Sequence, residues 1–156
     1  GATDAATGLY NRAFFASHLS AQVARAKDSG RPLAVAVIAV ADDEATQTLL
    51  RIRALNRVLA QAGGMMGRLV RAEDMAARLE QGVFAISLPS CGRDAALRAA
   101  DRISAVMACT AFDSGTDAPP MTLAFDLSAT ELEPGDTAPR LLARAISRFT
   151  AGGRML

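Results

Sequence analysis

The chain has 156 residues, 51% of them apolar, and 17 basic against 16 acidic side chains give a formal net charge of +1. This length and composition suit one folded domain and exclude a disordered tail. The near-neutral balance excludes a general nucleic-acid binder, which would be plainly basic.

Read in chain order, Thr7-Gly8-Leu9-Tyr10-Asn11-Arg12 is a turn that enters a helix. Phe14, Phe15, His18, Leu19, Val23 and Ala26 then recur at helical spacing to about Asp28, and Ser29-Gly30 ends that helix. Leu33 to Val40 is a continuous, partly β-branched apolar run between turn residues, which predicts a buried strand. The longest apolar run, Leu33 to Ala41, is too short to cross a membrane. Asp42, Asp43 and Glu44 open the next helix, where negative charge suits the helix dipole. That helix should turn Leu49, Leu50, Ile52, Leu55, Val58 and Leu59 inward. The segment Gly63-Gly64-Met65-Met66-Gly67 predicts a kink or an early end near Ala62, because glycine weakens a helix. Its two methionines read as core filling.

Met75 to Leu79 and Val83 to Leu88 form a hairpin about Glu80-Gln81-Gly82. Asp94 to about Ala108 is a helix with Leu97, Ala100, Ile103, Val106 and Met107 facing in. A polar loop from Phe112 to Pro120, a strand from Met121 to Ala129 and a helix from Pro139 to about Thr150 complete the chain. Strands and helices that alternate around one hairpin predict a central sheet with helices packed on it. Cys91 and Cys109 lack metal-site spacing and His18 is the only histidine, so no zinc site can form. Free thiols without a signal peptide predict a reducing, cytoplasmic setting. All basic residues but Lys27 are Arg, which suits planar and phosphate groups.

Several segments match one known pattern in order and spacing. They are Asp4-x-x-Thr7-Gly8-Leu9-Tyr10-Asn11-Arg12, Phe84-Ala85-Ile86-Ser87-Leu88-Pro89, Ala99-Ala100-Asp101-Arg102-Ile103, Met121-Thr122-Leu123-Ala124-Phe125 and the closing Gly153-Arg154. Together they resemble a GGDEF domain, the fold of diguanylate cyclases. The resemblance implies an α/β (α+β sandwich), nucleotidyl cyclase-like fold, with a central mixed five-stranded sheet surrounded by helices. It spans residues 1–156 as a single domain, expected to be the C-terminal part of a longer signalling protein.

An active family member condenses two GTP molecules, one on each of two facing domains, into cyclic di-GMP. Carboxylates on a signature turn and on the first strand hold the metal ions that neutralise charge as a 3′-hydroxyl attacks the α-phosphate. Where the family has Gly-Gly-(Asp/Glu)-Glu-Phe, this chain reads Glu80-Gln81-Gly82-Val83-Phe84, and only Phe84 matches. Gly82 and Val83 stand at the acidic positions. Glu80 and Gln81 put side chains where the nucleotide needs bare backbone. Ala39, in Ile38-Ala39-Val40-Ala41, replaces the strand carboxylate. The guanine-contacting positions fall near Gln47 and Asn56, and Phe149-Thr150-Ala151-Gly152-Gly153 lacks the family's phosphate-binding Lys. The resemblance therefore implies a degenerate, inactive domain with no metal. A magnesium site built on Asp42 and Asp43 is the rival reading.

Arg71-Ala72-Glu73-Asp74 falls where the family carries the Arg-x-x-Asp of its inhibitory product site, with five residues between Asp74 and Glu80. The spacing alone carries nothing, because Arg25 to Asp28 and Arg98 to Asp101 repeat it; the register against the turn makes it informative. Arg102 matches a third family ligand beyond Phe84. The resemblance implies that Arg71, Asp74 and Arg102 bind cyclic di-GMP as a stacked pair, with Arg68, Arg78 and Arg98 as further candidates. The expected function is a cyclic di-GMP receptor that acts through a protein partner or a second copy of the domain, without nucleic acid or membrane. The alternative is a ligand-free interaction or dimerisation module.

Overall fold

The structure, a computed structural model, describes residues 1–150. The elements are α1 (Arg12–Ser29), β1 (Leu33–Val40), α2 (Glu44–Arg51), α3 (Leu55–Leu69), β2 (Met75–Glu80), β3 (Val83–Pro89), α4 (Arg93–Ala108), β4 (Phe125–Glu131) and α5 (Ala138–Thr150). The closing Gly153-Arg154 and the Ala151-Gly152-Gly153 segment lie outside the described residues.

The sheet order is β2-β3-β1-β4. β1 sits in the middle and all eight of its residues are buried. Its apolar run is continuous because both faces are covered. Ala34, Ala36, Ile38 and Val40 meet residues of α2, α3 and α4 on one face. Leu33, Val35, Val37 and Ala39 meet α1 and α5 on the other. The result is the expected sheet flanked by helices, with one apolar cluster on each side.

The sheet differs from expectation in its strand number, which is four among the described residues rather than five. The four strands pair antiparallel. The parallel element is a single bridge between Tyr10 and Ala77 at the outer edge of β2. There Tyr10 N donates to Ala76 O at 3.3 Å and Arg78 N donates to Tyr10 O at 2.9 Å. The contact cannot lengthen into a strand, because Asn11 caps α1 by accepting from Phe14 N at 2.9 Å.

The expected single helix after Asp43 is two. Arg53 takes a left-handed φ of 58° and Ala54 N donates to Leu49 O at 2.9 Å, which ends α2. As α2 stops and turns there, Leu50 and Ile52 are exposed rather than buried. Val106, on the outer side of α4, is exposed as well.

Nor does the helix end near Ala62. α3 continues through the glycines to Leu69. A Cβ on Gly63 would lie 2.6 Å from Thr7 Cβ, and one on Gly67 would lie 3.3 Å from Leu9 Cδ2. The glycines make room for the N-terminal turn, and that packing offsets their poor helix propensity. Met66 between them is fully buried core. The last strand starts at Phe125 rather than Met121, which forms only an isolated bridge with Phe112. Among the described residues no helix is long and apolar enough to cross a membrane.

Candidate functional site

Two ends of strand β2 carry the residues of interest. At its start, the chain leaves α3 and folds into a closed turn. Asp74 N donates to Arg71 O, and Arg71 N donates to Asp74 Oδ2, each at 3.0 Å. The Arg71 guanidinium forks onto the same carboxylate, with Nη2 2.6 Å from Oδ1 and Nε 3.1 Å from both oxygens. Arg71 Nη1 lies 3.2 Å from Glu73 Oε1. Nη2 also donates to Pro89 O at 3.2 Å and lies 3.4 Å from Cys91 Sγ, so the corner is tied to the connection between β3 and α4. The hydrogen bonds to Asp74 are the main reason that the Arg71 pKa is raised further, with burial opposing them. The Asp74 side chain is 4% exposed and that of Arg71 45%. Beside the pair opens a concavity of about 430 Å³ walled by Leu9, Tyr10, Val70 and Ala76.

At the far end of β2 lies the turn. Arg78 Nη1 pairs with Asp4 Oδ2 at 3.3 Å, and its Nε and Nη2 donate to the carbonyls of Glu80 and Gln81. Burial tends to raise the Asp4 carboxyl, but hydrogen bonds from Thr7 and the charge of Arg78 outweigh it and hold the pKa below the usual range. Glu80 pairs with Arg12 at 3.2 Å, and Gln81 Nε2 donates to Asn56 Oδ1 at 3.1 Å. Gly82 O accepts from Val40 N at 2.8 Å. Val83 and Ala39 are register partners on β3 and β1. Both are 2% exposed and belong to the apolar cluster beneath α1 and α5.

The family model described as "Diguanylate cyclase, GGDEF domain" matches residues 1–151. The chain belongs to the GGDEF family. Solved structures of similar fold include the GGDEF domain of DgcB from Caulobacter crescentus in complex with c-di-GMP, at 19% identity and a TM-score of 0.83 over 94% of this chain and 84% of that one. The diguanylate cyclase SiaD of Pseudomonas aeruginosa, in complex with its activator SiaC, matches at 22% identity and a TM-score of 0.82 over 93% of this chain and 55% of that one. The GGDEF domain of YfiN (TpbB) of Pseudomonas aeruginosa matches at 29% identity and a TM-score of 0.79 over 92% of this chain and 83% of that one.

In this GGDEF domain the residues singled out from sequence separate into several places. Arg71 and Asp74 are joined. Arg98 and Arg102 lie on the exposed side of α4 and line a different groove of about 680 Å³ with Leu97 and Leu127. No hydrogen bond or ion pair among the described residues joins them to Arg71 or Asp74. Arg68 is exposed in the last turn of α3 and lies back along it, 3.7 Å from where a Cβ on Gly64 would be. Arg78 belongs to the turn, where Asp4 and two carbonyls occupy its guanidinium. Asp43 caps α2 by accepting from Thr46 N at 2.9 Å, and Asp42 accepts from Gln47 Nε2 at 2.5 Å. Among the described residues no group of three or more His, Cys, Asp or Glu side chains is placed to hold a metal ion.

Sequence reasoning passed over Tyr10, which entered only as a letter of a motif. Its ring lies 4.5 Å from that of Phe14, which in turn lies 4.6 Å from His18. The signal was present as rings at i, i+4 and i+8, but Phe14 and His18 read only as members of a stripe recurring at helical spacing.

Proposed function

We propose that this GGDEF domain is catalytically inactive and acts as a receptor for cyclic di-GMP in the bacterial cytoplasm. Arg71 and Asp74 form the primary contact, Arg102 adds a further cation, and the bound state is read by a protein partner. The observation that carries this reading is the contrast between the ends of β2. At one end, the family's acidic positions are occupied by Ala39, Gly82 and Val83, and Ala39 and Val83 face each other inside an apolar cluster. At the other, a bidentate Arg–carboxylate pair is pre-formed beside an open concavity. A guanidinium can bond the O6/N7 edge of guanine or fork onto phosphate, and a carboxylate can accept from N1–H and N2–H. The GGDEF domain of DgcB has been solved in complex with c-di-GMP, and SiaD, a protein that contains this fold, in complex with its activator SiaC, which supports a ligand and a protein partner here.

Calorimetric titration with cyclic di-GMP tests the proposal. Micromolar or tighter binding near two ligands per domain, lost in Arg71→Ala, is the expected result, together with no turnover of GTP. One observation favours the alternative of a ligand-free interaction module. Every arm of the Arg71 guanidinium already has a partner within the protein, and Arg102 lines a separate groove. No heat of binding from the unaltered domain would decide for that alternative.

A further inference from the structure

The concavity beside Arg71 has one aromatic wall. Tyr10 stands at the outer edge of β2, held there by backbone bonds to Ala76 and Arg78. One side of its ring packs on Phe14 at a tilt of 31°, and the residue remains 38% exposed. Leu9, Val70 and Ala76 line the same concavity, and so do Arg71 and Asp74. An aromatic ring, apolar side chains and a charged edge-reader on one concavity suit a nucleobase, which stacks through its faces and is read through its edge. The volume of about 430 Å³ falls within the range of small-molecule sites.

Resting on the receptor reading above, we infer that Tyr10 is a base-stacking residue, and that a guanine of the bound dinucleotide enters this concavity with its face on the Tyr10 ring and its edge toward Arg71 and Asp74. Phe14 and His18 continue the stack behind Tyr10 and fix its ring plane, so little side-chain freedom remains to be lost on binding. The residue acts through its π face and not its hydroxyl, so Phe should replace it.

The protein carries its own reporter for this contact. Tyr10 is its one tyrosine and it has no tryptophan, so intrinsic tyrosine emission comes from this ring alone. Titration of the unaltered protein with cyclic di-GMP, monitored by that emission and by calorimetry together, should show quenching that saturates in step with the heat. Tyr10→Leu should weaken binding by about tenfold, the scale of one lost base–aromatic stack. Tyr10→Phe should bind within about twofold of the unaltered protein, because stacking is retained. If Arg71→Ala abolishes binding while emission from the unaltered protein does not change, the stacking inference is overturned and the receptor reading stands. Unchanged affinity in Tyr10→Leu has the same meaning. If the unaltered protein shows no heat and no quenching, both are overturned.

Discussion

The turn at Glu80–Val83 and the corner at Arg71–Asp74 lie at opposite ends of the strand β2, and both are dense in charge. They differ in what the charges face. At the turn, each polar side chain is used inside the protein: Arg12 holds Glu80, Asn56 holds Gln81, and Asp4 holds Arg78. The positions behind it are filled with the apolar side chains of Ala39 and Val83. At the corner, a nearly buried carboxylate anchors a guanidinium that remains 45% exposed at the mouth of a concavity. The contrast teaches that a site is not read from charge density. It is read from what lines the space beside the charges and from what stands behind them: polar side chains and a filled apolar cluster at the turn, apolar and aromatic side chains at the corner.

The hardest way to break the comparison is to put a carboxylate back. Ala39→Asp places an acid opposite Val83 inside the apolar cluster, and should destabilise the domain by about 3–5 kcal/mol without any GTP turnover. Chemical denaturation and a turnover assay check both halves. Turnover with little loss of stability would mean that the turn is still a working site.

Arg71→Ala acts at the other end. It leaves the Asp74 carboxylate, 4% exposed, without its bidentate partner, and should cost about 1–3 kcal/mol of stability in addition to the loss of cyclic di-GMP binding. A thermal-shift series with and without ligand separates the two effects: the variant should melt lower and show no ligand-induced shift.

The Arg144–Asp136 pair supplies a structural standard for the corner. Arg144 Nη2 lies 2.7 Å from Asp136 Oδ2, Nη1 donates to Asp136 Oδ1, and Nη2 also donates to Glu131 O, which ties α5 to the end of β4. The bond from Arg144 is the main reason that the Asp136 carboxyl is lowered to about 2, with burial opposing it. The folded pKa lies below the unfolded one, so the stabilisation is complete above about pH 4 and fades as the pH falls through about 2. Denaturation followed between those limits should lose about 2 kcal/mol, and Asp136→Asn should flatten that dependence. A pair of this geometry that lines none of the concavities described above should show no ligand response, which sharpens the claim made for Arg71.

The smallest effect belongs to Glu80→Gln. Both partners in the Arg12–Glu80 pair are 45% exposed, so the change should alter stability by no more than about 0.5 kcal/mol and leave cyclic di-GMP binding untouched. A larger loss of binding would show that the two ends of β2 are coupled.

Much of the fold was legible in local pattern. The continuous apolar run of β1, the hairpin strands on either side of Glu80-Gln81-Gly82, and the periodic stripes of α1 and α4 depend on side chains close in sequence, and periodicity records such neighbours. Boundaries set by distant partners were not legible. α3 passes through Gly63 and Gly67 because Thr7 and Leu9 rest on them, and nothing in their own neighbourhood announces that contact. The break at Arg53 was equally hidden, since a left-handed φ at a non-glycine residue leaves no compositional mark.

The sites divide in the same way. Sequence by itself determined that Ala39, Gly82 and Val83 carry no carboxylate, because residue identity suffices for that. It also determined that Arg71 and Asp74 share a turn, because three residues of separation keep them adjacent. Only the tertiary structure decided which arginines accompany them. Arg78 projects to the turn, and Arg98 and Arg102 lie along a separate groove on α4. It also placed Tyr10 and Arg71 on one concavity at the edge of β2. The physical reason is one of range. Bonding within a turn is fixed by neighbouring residues, whereas the companions of a side chain across a concavity depend on how the sheet and helices pack.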